Sequence, residues 1–199
     1  VAAELNPDVA FGVKWLDIDN DGWLDMLVTN GHTADNIAKT GSGEVYRQPM
    51  ALLRNLEGTK LTRIRGAALD KPIVGRGLAT GDFDNDGDID ALAVDSAGAP
   101  VLLHNASKGR GHWLGVKLIG HKSGRDAYGA LVVLKSGEKT LTRHHHADGS
   151  YLSSSDPRIH FGLGASTAVT EVTIHWPSGT KQSVKVDAVD RYITVEEAK

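Results

Sequence analysis

One acidic nonapeptide is written twice in this chain. Residues 17–25 read DIDNDGWLD and residues 82–90 read DFDNDGDID, so both fit D-x-D-N-D-G-x-x-D with their first aspartates 65 residues apart. Asp17, Asp19, Asp21 and Asp25 form one set, and Asp82, Asp84, Asp86 and Asp90 the other. Four carboxylates within nine residues repel one another unless a cation sits among them. An all-oxygen donor set suits a hard divalent ion, and Ca²⁺ fits it best. Carboxylates at loop positions 1, 3 and 5 point inward when the backbone curls around a point. Gly22 and Gly87 at position 6 permit the sharp turn. Position 7, Trp23 or Asp88, offers a backbone carbonyl, and position 9, Asp25 or Asp90, closes the ring.

An EF-hand opens in the same way but needs a bidentate Glu at position 12 and flanking helices. Position 12 is Val28 in one copy and Ala93 in the other. Short apolar runs follow both loops, WLDMLVT at 23–29 and IDALAV at 89–94, and turn residues close them. These read as buried strands, so each loop is expected between two β-strands. An acidic hairpin turn built on Asn-Asp-Gly is the alternative, and the in-phase repetition of all four aspartates counts against it.

The rest of the chain reads as all-β. It has 199 residues, 40% hydrophobic, with 23 glycines and no cysteine. Many short apolar runs are punctuated by Gly, Ser, Asn and Asp; the nearest approach to helical periodicity, at 45–54, is weak. Without cysteine there is no disulfide framework. No apolar stretch is long enough to span a bilayer, and no signal peptide is visible. The chain opens on Val1, which suggests a piece of a longer protein. Net charge is −3, with residues 1–111 holding 11 Lys+Arg against 16 Asp+Glu and residues 112–199 holding 11 against 9. The acidity is thus concentrated at the loops, and two bound Ca²⁺ would carry the chain to +1. No dense basic stripe invites nucleic acid.

The repeat extends beyond the loops. FGVKWL at 11–16 and GRGLATG at 75–81 precede them, and ALLRN at 51–55 and VLLHN at 101–105 share Leu-Leu-x-Asn. With a fourth strand at 60–65, the first copy becomes a four-stranded antiparallel unit of propeller-blade size. The second copy has no evident fourth strand. The repeats resemble the FG-GAP/VCBS repeats of integrin-α-type β-propellers, through Phe11-Gly12 followed by DIDNDG at 17–22; the second copy has Arg76-Gly77 in place of Phe-Gly. That resemblance implies calcium ligation by the eight repeated aspartates, with Trp23 and Asp88 as carbonyl donors. It also implies that about two blades of a larger propeller are present, with self-association of open faces as one consequence.

Residues 112–199 have a different texture. Seven strand-like runs, at 113–119, 130–134, 139–143, 158–161, 169–176, 182–186 and 192–195, predict a small antiparallel sandwich or barrel. GHWLGVKL at 111–118, RDAYGA at 125–130, GSYLS at 149–153, HFGLG at 160–164 and HWPSG at 175–179 resemble the ASPIC/UnbV domain. Two domains are therefore expected, 1–111 and 112–199, the second implied to be an extracytoplasmic accessory or binding module.

Other chemistry is weaker. Of His144-His145-His146, only His144 and His146 share a strand face, and no Cys joins them; a solvated strand end is the simpler reading. Ser153, Ser154, Ser155, Asp156 and His160 lack a nucleophile elbow and read as turn chemistry. Asn105-Ala106-Ser107 fits a common glycosylation tripeptide. Trp15, Trp23, Trp113 and Trp176 read as strand-face packing before sugar stacking. Two function classes follow. The first is a non-catalytic extracellular, periplasmic or cell-surface calcium-binding module that contacts a protein or carbohydrate ligand. The second is a metal-dependent hydrolase using the loop aspartates. Loops on separate blades argue against a dinuclear centre, whose ions lie about 3.5–4 Å apart.

Overall fold

The computed structural model describes residues 8–106 and 111–199. Its described residues form fourteen strands in four sheets, with one short 3₁₀ turn (Ile37–Thr40) and one α-helical turn (Ala67–Asp70). The 45–54 window is not helical; it runs into a strand.

β1 (Ala10–Leu16), β2 (Asp25–Asn30), β3 (Ala51–Leu56) and β4 (Lys60–Ile64) lie side by side in chain order, all antiparallel. β2 is buried at every position: Met26, Leu27 and Val28 pack in the core, and the polar Asp25, Thr29 and Asn30 are hydrogen-bonded. β5 (Gly75–Gly81), β6 (Asp90–Asp95) and β7 (Val101–Leu103) repeat the arrangement, with no fourth strand among the described residues. The repeat is exact in register. Leu16 pairs Asp25 as Gly81 pairs Asp90, and a bulge falls between Ala10 and Val13 as between Gly75 and Leu78. Phe11-Gly12 and Arg76-Gly77 thus occupy the same bulge. The Arg76 guanidinium lies 4.0 Å over the Phe11 ring and donates to Gly31 O and His32 O, joining the two sheets. A Cβ on Gly12 would come within 2.7 Å of Leu78 and Thr29, which explains a glycine at this crossing. Leu16, Leu27, Met50, Leu52, Ile73, Leu78, Ile89, Ala91 and Ala93 form the core between the sheets.

The second half is a two-layer sandwich. β8 (His112–Ile119) sits between β11 (Ile159–Gly164) and β14 (Arg191–Glu196). The facing sheet takes the order β10-β9-β12-β13, from β9 (Leu131–Ser136), β10 (Lys139–His144), β12 (Glu171–His175) and β13 (Lys181–Val184). All seven expected runs become strands, and the sheets close over Leu114, Val116, Val132, Leu134, Phe161, Val172 and Ile174 without forming a barrel. One pairing corrects the all-antiparallel expectation: β14 runs parallel to β8, from Arg191↔Leu114 to Glu196↔Ile119. Strand direction is set by the path of the chain around the sandwich, and short apolar runs carry no sign of it.

The sandwich is tied at one end by Glu197. Its carboxylate accepts the backbone N–H groups of His121, Lys122 and Ser123 at 2.7–2.8 Å, together with the hydroxyls of Ser123 and Ser178. Burial alone would raise its pKa, but donors from Ser178, Ser123 and His121 outweigh that and hold it at about 2. A carboxyl depressed in the fold stabilises above its unfolded pKa and loses that contribution as pH falls through the folded value. Glu197→Gln is therefore expected to melt below the wild type at pH 7, with the gap shrinking steadily between pH 4.5 and 2. A gap independent of pH would contradict the charged nest.

Candidate metal loops

Both acidic loops are hairpin connections, β1 to β2 and β5 to β6. They share one backbone shape. Asn20 and Asn85 at position 4 have φ of 59° and 62°, and Gly22 and Gly87 at position 6 have φ of 94° and 91°. The position-1 aspartate organises each curl. Asp17 accepts Asp21 N–H at 3.0 Å and Gly22 N–H at 2.9 Å; Asp82 accepts Asp86 N–H at 3.1 Å and Gly87 N–H at 2.9 Å. Position 9 closes the loop against the third strand. Asp25 accepts Ile18 and Asn55 N–H, and Asp90 accepts Phe83 and Asn105 N–H. The Asn55 amide donates to Leu24 O and the Asn105 amide to Ile89 O. The Leu-Leu-x-Asn signature thus has a task that the sequence pattern did not reveal: its asparagine clamps the acidic loop.

Carboxylate oxygens of Asp17, Asp19 and Asp25 all lie within 4.8 Å of one another, and so do those of Asp82, Asp84 and Asp90. Oxygens bound to one Ca²⁺ at 2.3–2.6 Å can be separated by about that distance. The position-5 residues stand differently. Asp21 Oδ1 accepts Trp23 N–H at 2.8 Å, while Asp86 accepts Asp88 N–H and groups with Asp84 and His104. Of the position-7 residues, Trp23 presents an exposed ring, whereas Asp88 is buried and its carboxylate accepts from the Asn20 amide at 3.0 Å. That bond, with Asn20 Nδ2 to Gly87 O at 3.2 Å, brings the two loops into contact. The two loops, expected to stand apart on separate blades, therefore touch, although their aspartate triads remain distinct.

The chemistry of the donors suits a hard cation. Asp19 Oδ1 and Asn20 Oδ1 are buried acceptors with no partner. Burial pushes Asp17 up to about 7 and Asp25 up to about 6, with neighbouring carboxylates adding to the rise; Asp21 and Asp90 are raised for the same primary reason. Neighbouring side chains supply partial relief: Arg54 pairs with Asp19, and His104 Nε2 lies 3.2 Å from Asp84.

The second half packs directly on these loops. Gly111 N–H and Gly164 N–H donate to Asp19 O and Asn20 O, at 3.1 and 2.7 Å. A Cβ on Gly162 would overlap Asp17 and Asn20. Against the other loop, the Tyr192 hydroxyl donates to Asp82 Oδ2 at 2.6 Å, Arg158 donates to Asp82 O, and His160 Nε2 donates to Gly87 O at 3.0 Å. Burial and the Asp82 carboxylate push the Tyr192 pKa far up, so its proton stays available for donation; burial holds His160 down at about 4. Trp113 covers Gly87, stacked with His160 and edge-on to Tyr192. These contacts join residues 26 to 145 positions apart and were not legible in local patterns.

The lesser candidates resolve simply. His144 ends β10 exposed, His145 is buried against Asp126 O, and His146 pairs with Asp148. Ser153 bonds Tyr151 O, Ser155 accepts from Thr80 N–H, and Asp156 pairs with Arg158, leaving no triad with His160 among the described residues. Asn105 is buried and its amide donates at 2.8 Å to Ile18 O, which does not suit a glycan acceptor; Ser107 of that tripeptide lies outside the described residues. Trp113 and Trp176 are buried, whereas Trp15 and Trp23 are exposed.

Residues 120–199 match the family described as ASPIC and UnbV. The matched stretch starts just after β8. Cartilage acidic protein 1 of Xenopus tropicalis is 30% identical over 172 residues, covering 82% of this chain and 25% of the relative. The Homo sapiens and Mus musculus proteins of the same name are each 30% identical over 179 residues, covering 85% of this chain and 25% and 26% of themselves. The likeness therefore extends beyond the sandwich into the half that carries the loops. The chain spans about a quarter of the length of these relatives.

Proposed function

We propose that this chain is a non-catalytic, calcium-binding part of an extracellular protein, in which two Ca²⁺ ions shape the acidic loops and a protein or carbohydrate ligand is bound elsewhere on the surface. The observation that carries the reading is the duplicated triad, with the same amide donors on both position-1 aspartates and a buried, partnerless carboxylate oxygen on Asp19. In the metal-bound protein, Asp17, Asp19 and Asp25 hold one ion and Asp82, Asp84 and Asp90 the other. The ion supplies positive charge that the buried carboxylates lack. The chain's own residues do the remaining work: Asn55 and Asn105 fix position 9, and Tyr192 fixes Asp82. Each position-1 carboxylate already accepts loop amides, which favours a structural over a catalytic use.

Extracellular placement draws support from relatives that carry cartilage in their name, since structural calcium sites of modest affinity fill where Ca²⁺ is abundant. No helix of the described residues is long and apolar enough to cross a membrane. The two looped sheets are read as FG-GAP/VCBS-type units of a larger propeller. Leu92, Val94 and Leu102 stand exposed on β6 and β7, an apolar face that a further sheet, or a second copy, would cover. Isothermal titration calorimetry tests the metal reading. Two Ca²⁺ per chain are expected, with far weaker binding of Mg²⁺, and no heat at millimolar Ca²⁺ would overturn it.

A further inference from the structure

The two loops are nearly identical in sequence and in backbone shape, yet their charged surroundings differ. Three side-chain cations face the four carboxylates of loop 1. Arg54 pairs with Asp19, Lys139 Nζ lies 3.4 Å from Asp21 O, and Arg143 lines the same cavity as Asp17, within electrostatic reach of its carboxylate. Arg143 Nε and Nη2 are buried without a hydrogen-bond partner, so its charge is poorly screened by water. It also lies over the Phe161 ring, which leaves it little room to withdraw.

Loop 2 has five carboxylates, Asp88 being the extra one. At the place of Arg54 in the repeat stands His104, which is no obligate cation. At its position-1 aspartate the second half offers a neutral hydroxyl, that of Tyr192. The one guanidinium at this loop, Arg158, donates to Asp82 O and Asn85 Oδ1, but it is also paired with Asp156 at 2.6 Å, which offsets its charge.

We propose that the loops are unequal calcium sites: loop 2 binds first and more tightly, and loop 1 binds last because protein cations already occupy its field. The inference rests on the calcium reading above. A divalent ion entering loop 1 meets repulsion from Arg143, from Lys139 and from the Arg54 held at Asp19; at loop 2 the one guanidinium in contact, Arg158, is offset by its pairing with Asp156. At the effective dielectric of a partly buried site, one such unit charge suffices for about a tenfold difference in affinity.

Calcium titration of the ¹⁵N-labelled chain at low salt tests this, because Gly22 and Gly87 each donate an amide to their own loop's first aspartate. The Gly87 signal is expected to saturate at a free Ca²⁺ at least about tenfold below that for Gly22. Arg54→Gln, a change at a half-exposed side chain, should bring the Gly22 midpoint several-fold closer. Arg143→Gln should do so more strongly, and its fold is checked by the unchanged Gly87 titration. If Gly22 saturates with or before Gly87, the inequality is overturned while calcium binding stands. If neither amide moves at millimolar Ca²⁺, the calcium reading falls and this inference with it.

Discussion

Saturating Ca²⁺ is expected to raise the melting temperature of this chain by about 10–20 °C over the EDTA-treated protein. A ligand at one hundred times its Kd stabilises the fold by about 2.7 kcal/mol per site. Two sites contribute about 5 kcal/mol, and each kcal/mol shifts the midpoint of a protein this size by about 2–4 °C. The shift should depend on pH with a definite sign. Burial raises Asp17 to about 7 and Asp25 to about 6. In the metal-free fold, ionising them costs stability as pH climbs from about 4 through 7, because the unfolded chain has already lost those protons. Calcium requires the ionised carboxylates and offsets that cost. The calcium-induced rise in melting temperature should therefore be larger at pH 7.5 than at pH 5.5. Equal melting in EDTA and Ca²⁺ would remove calcium from the account.

Gly87→Ala is expected to lower the melting temperature by about 5–15 °C, equivalent to about 2–4 kcal/mol. Two causes combine. Gly87 holds φ of 91°, which an L side chain rarely adopts. A Cβ there would overlap the Trp113 indole, which is itself held between His160 and Tyr192. Gly41→Ala separates the causes. Gly41 also has positive φ, at 76°, but a Cβ there meets nothing within 4 Å, so only backbone strain of about 1 kcal/mol remains. Differential scanning calorimetry of both variants checks the comparison. Equal losses would mean that Trp113 is not seated on the loop.

Much of the fold was legible because burial writes itself into short patterns. The apolar runs after each loop became β2 and β6, and all seven runs of the second half became strands. The substitution of Arg76 for a phenylalanine looked like a departure from the repeat; in the structure its guanidinium stacks on Phe11 from within an equivalent bulge. Other features left no local trace. The parallel pairing of β14 with β8 depends on chain path. The seating of Tyr192, Arg158, Trp113 and Gly162 on the loops depends on contacts between distant residues. The Glu197 nest draws its donors from two remote turns. At the loops themselves, spacing pointed to the aspartates whose carboxylate oxygens cluster in each triad, but not to the amides that the Asp21 and Asp86 carboxylates accept.

The central claim is that each aspartate triad is a calcium site. The most direct measurement is anomalous diffraction from crystals grown in Ca²⁺. Two peaks are predicted, one among Asp17, Asp19 and Asp25 and one among Asp82, Asp84 and Asp90. A calcium-grown crystal with no anomalous density at either triad would contradict the account.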